Sequence, residues 1–391
     1  MRISQRLTQL KPSATLAMNA KAQELKAKGR RIVSLAVGEP DFPTPAHIRE
    51  AAKQAIDEGF TRYTPVPGIP ELRQAVAGYF QEFYGVAAPK EAVVVTNGGK
   101  QALYNLFQAL LDPGDEALIP GPYWVSYPDM VELAGGVPVI VPTSVEKNFL
   151  ADVEDLERAV TPRTRLLILN APSNPTGCAY SPAKLNAIAQ WAMDRDIFVV
   201  SDEIYDQLVY PPAQPASLAP LWEKNPERIA VVNGLAKSFA MTGWRVGYAL
   251  AHPDLVKALS KIQGQSTSNI CSIAQKAAVA ALTGPKDEVF AMRQAFQRRR
   301  DLALGIMAGW EGVVCPKPDG AFYLFPRMDA YYRNGVQGSG DLCARILEEA
   351  ETALVPGAAF GDDRCVRFSY AVDDQTLAEC LERVGGVLRS I

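Results

Sequence analysis

A chain of 391 residues, 48% hydrophobic and 21% charged, has the composition of a globular enzyme and the length for two domains or one large domain with a lobe. Its net charge of -3 provides no basic footprint, which argues against nucleic acid and anionic membranes as partners. Six scattered cysteines without a C-x-x-C pair read as reduced thiols, and two histidines (His47 and His252, read as structural or capping) leave no His-rich metal site and no hydrolase triad with a G-x-S-x-G elbow.

Residues 1–31 are basic and mildly amphipathic, with no acid before Glu24 and no apolar h-region. No later run approaches a membrane span. Recognisable elements begin within the first dozen residues, which weighs against a transit peptide, and a cytoplasmic enzyme is the expectation. From residue 92 the chain alternates short apolar runs with helical patterns. Strands are predicted at 92–96, 116–120, 137–141, 165–170, 197–201, 229–233 and 246–250. Between the earlier ones lie helical stretches such as "KQALYNLFQALL" and "SPAKLNAIAQWAMDRD". Continuous apolar strands separated by helices predict an α/β fold, a mostly parallel seven-stranded sheet covered by helices on both faces.

From about residue 286 the pattern changes to a long charged helix, "DEVFAMRQAFQRRRDLALGIMAG", then "GAFYLFPRM", a further helix and "CVRFSYA". This reads as a smaller α+β domain completed by the N-terminal segment. The expected division is a large domain at 47–285 and a small domain made of 1–46 and 286–391.

Ligands of open α/β sheets sit at the carboxyl ends of the strands, so the residues following each strand test whether a single site exists. After the first run comes "NGGKQAL", two glycines opening a helix. That is either a tight turn or a place where backbone amides and the helix dipole receive a phosphate. After the second comes "GPYWVSYP", offering Tyr123, Trp124 and Tyr127 for core packing or for stacking on a planar ring. "APSNPTG" brings Asn174 on a turn, serving either its own backbone or a ligand. "DEIYDQ" opens with Asp202 at the end of an apolar strand, where an unpaired carboxylate would be costly. It needs a cationic or N–H partner, whether a structural arginine or a ligand. "NGLAKSFAMTGWRVGY" brings Lys237 and Arg245, either surface charges or an amine nucleophile beside an anion holder. Taken together, a phosphate cradle, a stacking aromatic, an amide, a carboxylate, a lysine and an arginine are what pyridoxal 5'-phosphate requires.

The motifs "SDEIY", "NAPSNPTG" and "LAKSFAMTGWRVGY" resemble those of the class I, fold-type I pyridoxal-phosphate aminotransferases. With "LKPSAT", "VGEPDFPTP", "YTPVPGIPELRQA", "TNGGKQAL", "VPGAAFG" and "VRFSYA", the resemblance covers essentially the whole chain in order and is closest to the bacterial aspartate aminotransferases. It implies that Lys237 binds the cofactor's aldehyde carbon and that Asp202 partners the pyridine nitrogen. Tyr205 and Asn174 match the pair on the phenolic oxygen, and Trp124 matches the stacking ring. Gly98, Gly99, Lys100 and Arg245 fall in the phosphate cup. Tyr63 matches a tyrosine that reaches the phosphate of the neighbouring subunit, which implies a homodimer with shared sites. Gly38 and Arg367 match the groups that hold the substrate's α-carboxylate, with Trp124 and Asn174 beside them. Lys100 matches a lysine implicated in binding dicarboxylates.

One departure is Gly234, where many relatives place a phosphate-binding serine, and Ser238 is expected to point elsewhere. The activity implied is ping-pong transamination, with aspartate and 2-oxoglutarate as the expected pair. Aromatic, alanine, methionine or prephenate aminotransferases are the near alternatives. A lyase on the same cofactor is more remote, and a ligand-sensing regulator lacks both room and charge for a DNA-binding domain.

Overall fold

The computed structural model describes residues 14–391 together with Ile3, Ser4 and Leu7. Leu10, Lys11, Pro12 and Ser13 of the "LKPSAT" motif lie outside the described residues. In chain order the strands are β1 (Val33–Ser34), β2 (Val93–Asn97), β3 (Glu116–Pro120), β4 (Val137–Val141), β5 (Thr164–Asn170) and β6 (Phe198–Asp202). They continue with β7 (Ile229–Gly234), β8 (Val246–Leu250), β9 (Tyr323–Leu324), β10 (Thr352–Ala353), β11 (Val355–Pro356) and β12 (Val366–Ser369). All seven runs expected in the main sheet are present, with ends displaced by at most one residue. Such slips are ordinary where a strand hands over to a turn.

Seven strands form one sheet in the order β2-β8-β7-β6-β5-β3-β4. The pairs β7–β6, β6–β5, β5–β3 and β3–β4 are parallel, whereas β8 runs antiparallel to both β2 and β7. The apolar runs are continuous because the strands between the edges are covered on both faces. Leu166–Leu169, Val199–Val200 and Ile229–Val232 are all buried. The edge strand β4 leaves Val137 and Ile140 exposed.

One core lies under helices α1 (Ala46–Asp57), α2 (Pro70–Tyr84) and α3 (Ser272–Thr283). Ile48, Ala52 and Ala55 make the buried face of α1, and the small buried residues Ala274, Ala277, Ala278 and Ala281 of α3 let the two helices pack closely. The opposite face carries a second core beneath α4 (Gly99–Leu110) and the helix of 253–264. A third core gathers Leu35, Phe296, Phe322, Tyr323, Phe368 and Leu381 around the β11-β12-β9 sheet, and β1 pairs in parallel with β10 nearby. Tyr205, Leu208 and Tyr210, from the segment after β6, enter that same core.

Because β8 is the one reversed strand, the ends of β2, β3, β5, β6 and β7 and the start of β8 share one edge of the sheet. Residues 98–99, 121–124, 171–174, 202–205, 235–237 and 245 therefore gather there.

Candidate active site

A cleft of about 400 Å³ opens along this edge. Lys237, Asp202, Tyr205 and Asn174 line it, as do Gly99, Lys100, Trp124 and Arg245 from the sheet side. Gly38 and Arg367 close it from the third core's side. Gly98 stands immediately before Gly99 as the residue capping α4.

Asp202 ends β6 and is 6% exposed. Its Oδ2 accepts the Tyr127 hydroxyl at 2.6 Å and its Oδ1 accepts the Ile204 N–H at 3.3 Å. Among the described residues no arginine pairs with Asp202, and a phenol and a main-chain amide take the place of the structural arginine considered from the sequence. Burial pushes the carboxyl up to about 6; the two donors and the charge of Lys237 pull the other way.

Lys237 sits three residues past β7, and its ammonium donates to the Gly38 carbonyl. Loss of water is the largest influence on this amine. Glu39 opposes it, Arg245 and Arg367 reinforce it, and the net result is a pKa lowered to about 8. By surface exposure Lys237 is only half-buried, because it faces the open cleft while protein encloses it elsewhere.

Arg367, on β12, is 2% exposed. Its Nη1 donates to Asn174 Oδ1 at 3.0 Å and its Nη2 donates to the Ala36 carbonyl at 2.6 Å. Its guanidinium lies 4.7 Å from the Tyr323 ring centre, and its buried Nε has no partner among the described residues. No carboxylate of the described residues pairs with it. A buried cation lacking an anion is expensive, and a bound carboxylate would compensate it with a planar fork. Asn174 thus serves more than its own turn.

The turn into α4 is built for close approach. Gly98 holds φ +83°, and a Cβ there would lie 2.5 Å from Arg245 Nη2. On the facing strand, a Cβ on Gly247 would collide with the main chain of Gly98 and Gly99. Free N–H groups at the helix start, with Arg245 and Lys100 beside them, make a seat for an anion. Lys100 stands 4.8 Å over the Trp124 ring, and its pKa is lowered by burial first and then by Arg245, with Asp129 opposing.

At Gly234 a Cβ would lie 2.8 Å from the Val246 carbonyl oxygen and 3.0 Å from Gly247 Cα. This chain therefore has no room for the serine hydroxyl of other relatives without moving main chain. Ser238 lines a separate groove between residues 42–49 and the helix of 287–307, so it does not substitute. Tyr63 is not brought into this cleft: it is 93% exposed and borders an open depression with Thr267 and Cys271.

Three cleft features escape the sequence reading. Tyr127 is visible there only as one of three aromatics, although its place three residues after Trp124 puts both at the opening of one helix. Asn170 closes β5, and its amide bridges the Asp202 carbonyl and the Asn174 N–H. Tyr323, in "GAFYLF", has no local signal, since only the folded chain brings β9 to this edge.

The donor set fits a planar aldehyde that carries a phosphate: an amine within the cleft, an aromatic face, a buried carboxyl and an anion seat. A family model described as aminotransferase class I and II matches residues 30–384. The chain is 45% identical over 385 residues to an aspartate aminotransferase of Geobacillus stearothermophilus, covering 98% of each. It is likewise 45% identical to an aspartate/prephenate aminotransferase of Cereibacter sphaeroides, covering 98% of this chain and 97% of that one. The solved aspartate aminotransferase from Thermus thermophilus with maleate superposes with a TM-score of 0.93 at 45% identity, over 99% of this chain and 100% of that one. A match of this length and depth, on a cleft of this chemistry, settles the kinship: the chain belongs to the class I and II aminotransferases and is a pyridoxal-phosphate-dependent transaminase.

Proposed function

We propose that the enzyme moves the amino group of aspartate to 2-oxoglutarate, using both substrates in turn at the one cleft. The single observation that carries this reading is the buried, acid-free guanidinium of Arg367 facing the same cleft as Lys237, with Lys100 on the sheet side. A dicarboxylate has one anionic end for each cation. The relatives named for aspartate, and the neighbour solved with the dicarboxylate maleate, support the assignment.

When bound, pyridoxal phosphate supplies an aldehyde for amine exchange and a ring that draws electrons from the substrate's Cα. In our reading Lys237 holds the aldehyde carbon and, once released, carries the Cα proton on Nζ. An amine with a pKa near 8 exchanges protons readily at physiological pH. Asp202 keeps the ring nitrogen protonated, Tyr205 and Asn174 hold the phenolic oxygen, and Trp124 covers the ring face. Gly98, Gly99, Lys100 and Arg245 seat the phosphate. Arg367 and Gly38 orient the α-carboxylate, with Asn174 and Trp124 beside it, and Lys100 meets the distal carboxylate. Donor and acceptor share Arg367 and Lys237, so ping-pong kinetics follow. We further propose a cytoplasmic homodimer in which Tyr63 completes the partner's phosphate seat, with a large domain of 47–285 and a small domain of 1–46 and 286–391.

The purified holoenzyme is expected to be yellow, with a visible band that fades on adding aspartate and persists with lysine. Rates with aspartate, phenylalanine, alanine and methionine, for wild type and Lys100→Ala, then test the substrate. A lost charge-assisted contact predicts a roughly 10- to 100-fold fall for aspartate beyond any fall shared by the other three donors through the phosphate seat. An equal fall for all four donors overturns the dicarboxylate reading, and ammonia release without an oxo acid would instead indicate a lyase. Prephenate, itself a dicarboxylate, is tested as acceptor in the same assay, because several relatives bear its name.

A further inference from the structure

Tyr323 is fully buried, yet it lines the cleft and touches three groups with different tasks. Its hydroxyl is 2.9 Å from the Tyr205 hydroxyl. Its ring lies under the Arg367 guanidinium, 4.7 Å from centre to carbon. The same hydroxyl stands where a Cβ on Gly38 would come within 2.9 Å, so it also bounds the turn whose carbonyl receives Lys237. The position follows from register. β9 pairs antiparallel with β12, Tyr323 lies opposite Ser369 and Leu324 opposite Phe368, so Tyr323 and Arg367 come from neighbouring strands of the small sheet. Phe322 and Tyr205 pack edge-on at 5.6 Å and fix the approach of β9 to the segment after β6.

We propose that Tyr323 is a positioning residue that joins the cofactor side of the cleft to its carboxylate side, with its hydroxyl acting through Tyr205 and its ring acting through Arg367. The inference rests on the reading of Tyr205 and Arg367 given above. A Tyr205 hydroxyl that donates into the cleft must accept from elsewhere to be strengthened as a donor, and Tyr323 is the hydroxyl within reach. The ring face offers Arg367 a cation–π seat in a site where burial already penalises its charge, and Phe360 supplies a second face at 5.0 Å. The two contributions belong to different atoms of one side chain, so substitution separates them.

Tyr323→Phe keeps the ring and removes the hydroxyl. In holoenzyme it should leave the maleate dissociation constant within about twofold of wild type while raising the pH midpoint of the visible band by a few tenths of a unit and lowering kcat roughly threefold to tenfold. Tyr323→Leu removes both and should add a roughly tenfold weakening of maleate. In a Tyr205→Phe background, Tyr323→Phe should no longer move the band midpoint, because the group it acts through is gone. An unchanged midpoint in Tyr323→Phe, an equal midpoint shift in both backgrounds, or a maleate affinity that falls as much in Phe as in Leu overturns the proposal. Absence of a visible band from wild type would instead sink the cofactor reading on which it rests.

Discussion

An aspartate carboxyl ordinarily titrates near 3.8, whereas inside β6 that of Asp202 is pushed up to about 6, because burial outweighs the Tyr127 and Ile204 donors and the charge of Lys237. A raised folded-state value means that ionisation is harder in the fold. The resulting contribution to stability is complete below about pH 3.8 and is lost as pH rises through about 6. Asp202→Asn removes the titration, so the cofactor-free variant should lose less stability than wild type between about pH 4 and pH 7 in thermal melts. Glu203, pushed up to about 7 by burial, remains and keeps part of the slope. An unchanged slope in the variant would show that Asp202 is not the strained group. At this scale the sequence was informative where chemistry is local: Lys237, Asp202, Asn174 and Arg367 all stand in quoted motifs and all reach the cleft. It was silent where the partner comes from far along the chain. Nothing beside Tyr127 announces a carboxyl 75 residues away, and nothing beside Tyr323 announces Tyr205, 118 residues away.

Helices and strands owe their legibility to continuous apolar runs, and the main sheet was read within a residue at each end because its inner strands are buried on both sides. Direction was less legible. A strand's hydrophobicity does not say which way it runs, and the reversal of β8 emerges only from its pairing with β2 and β7. That pairing presses Gly247 against the turn into α4, so Gly247→Ala should force main chain apart at the anion seat. Overpacking of this kind costs roughly 1–3 kcal/mol. The cofactor-free variant should melt several degrees lower and bind inorganic phosphate more weakly. An alanine accommodated with neither change would mean that the seat is looser than its contacts indicate.

Across the whole molecule, the cleft draws on the second core through Leu103 and on the third through Tyr205 and Tyr323, and the segment 36–44 ties its two sides together. Ala36 accepts from Arg367, Gly38 accepts from Lys237, Thr242 donates to Glu39 at 2.9 Å, and Thr44 donates to the Ala240 carbonyl at 2.6 Å. Tyr63 alone of the expected site residues stands away, almost wholly exposed, which is intelligible if its partner belongs to a second copy. A mixing experiment tests this. Lys237→Ala and Tyr63→Ala proteins are each impaired alone, but hybrid dimers assembled from both contain one site free of either change. Random reassortment should then restore about a quarter of wild-type activity, since half of the dimers are hybrid and one of two sites in each is intact. No gain on mixing would place Tyr63 outside the partner's site.

The backward run of β8 has a consequence for how this chain can vary. Every other main-sheet strand at the cleft delivers its working residue at its exit, but Arg245 is delivered on the way in. Only eleven residues, 235–245, separate the exit of β7 from the entry of β8, and both the amine, whose pKa burial lowers first, and the Arg245 guanidinium that adds to the effect must be placed within them. Losing or gaining one residue there would turn each side chain of β8 to the opposite face of the sheet or pull Arg245 off the anion seat. The tract is therefore a ruler, whose length the cleft constrains as firmly as it constrains Lys237 and Arg245 themselves.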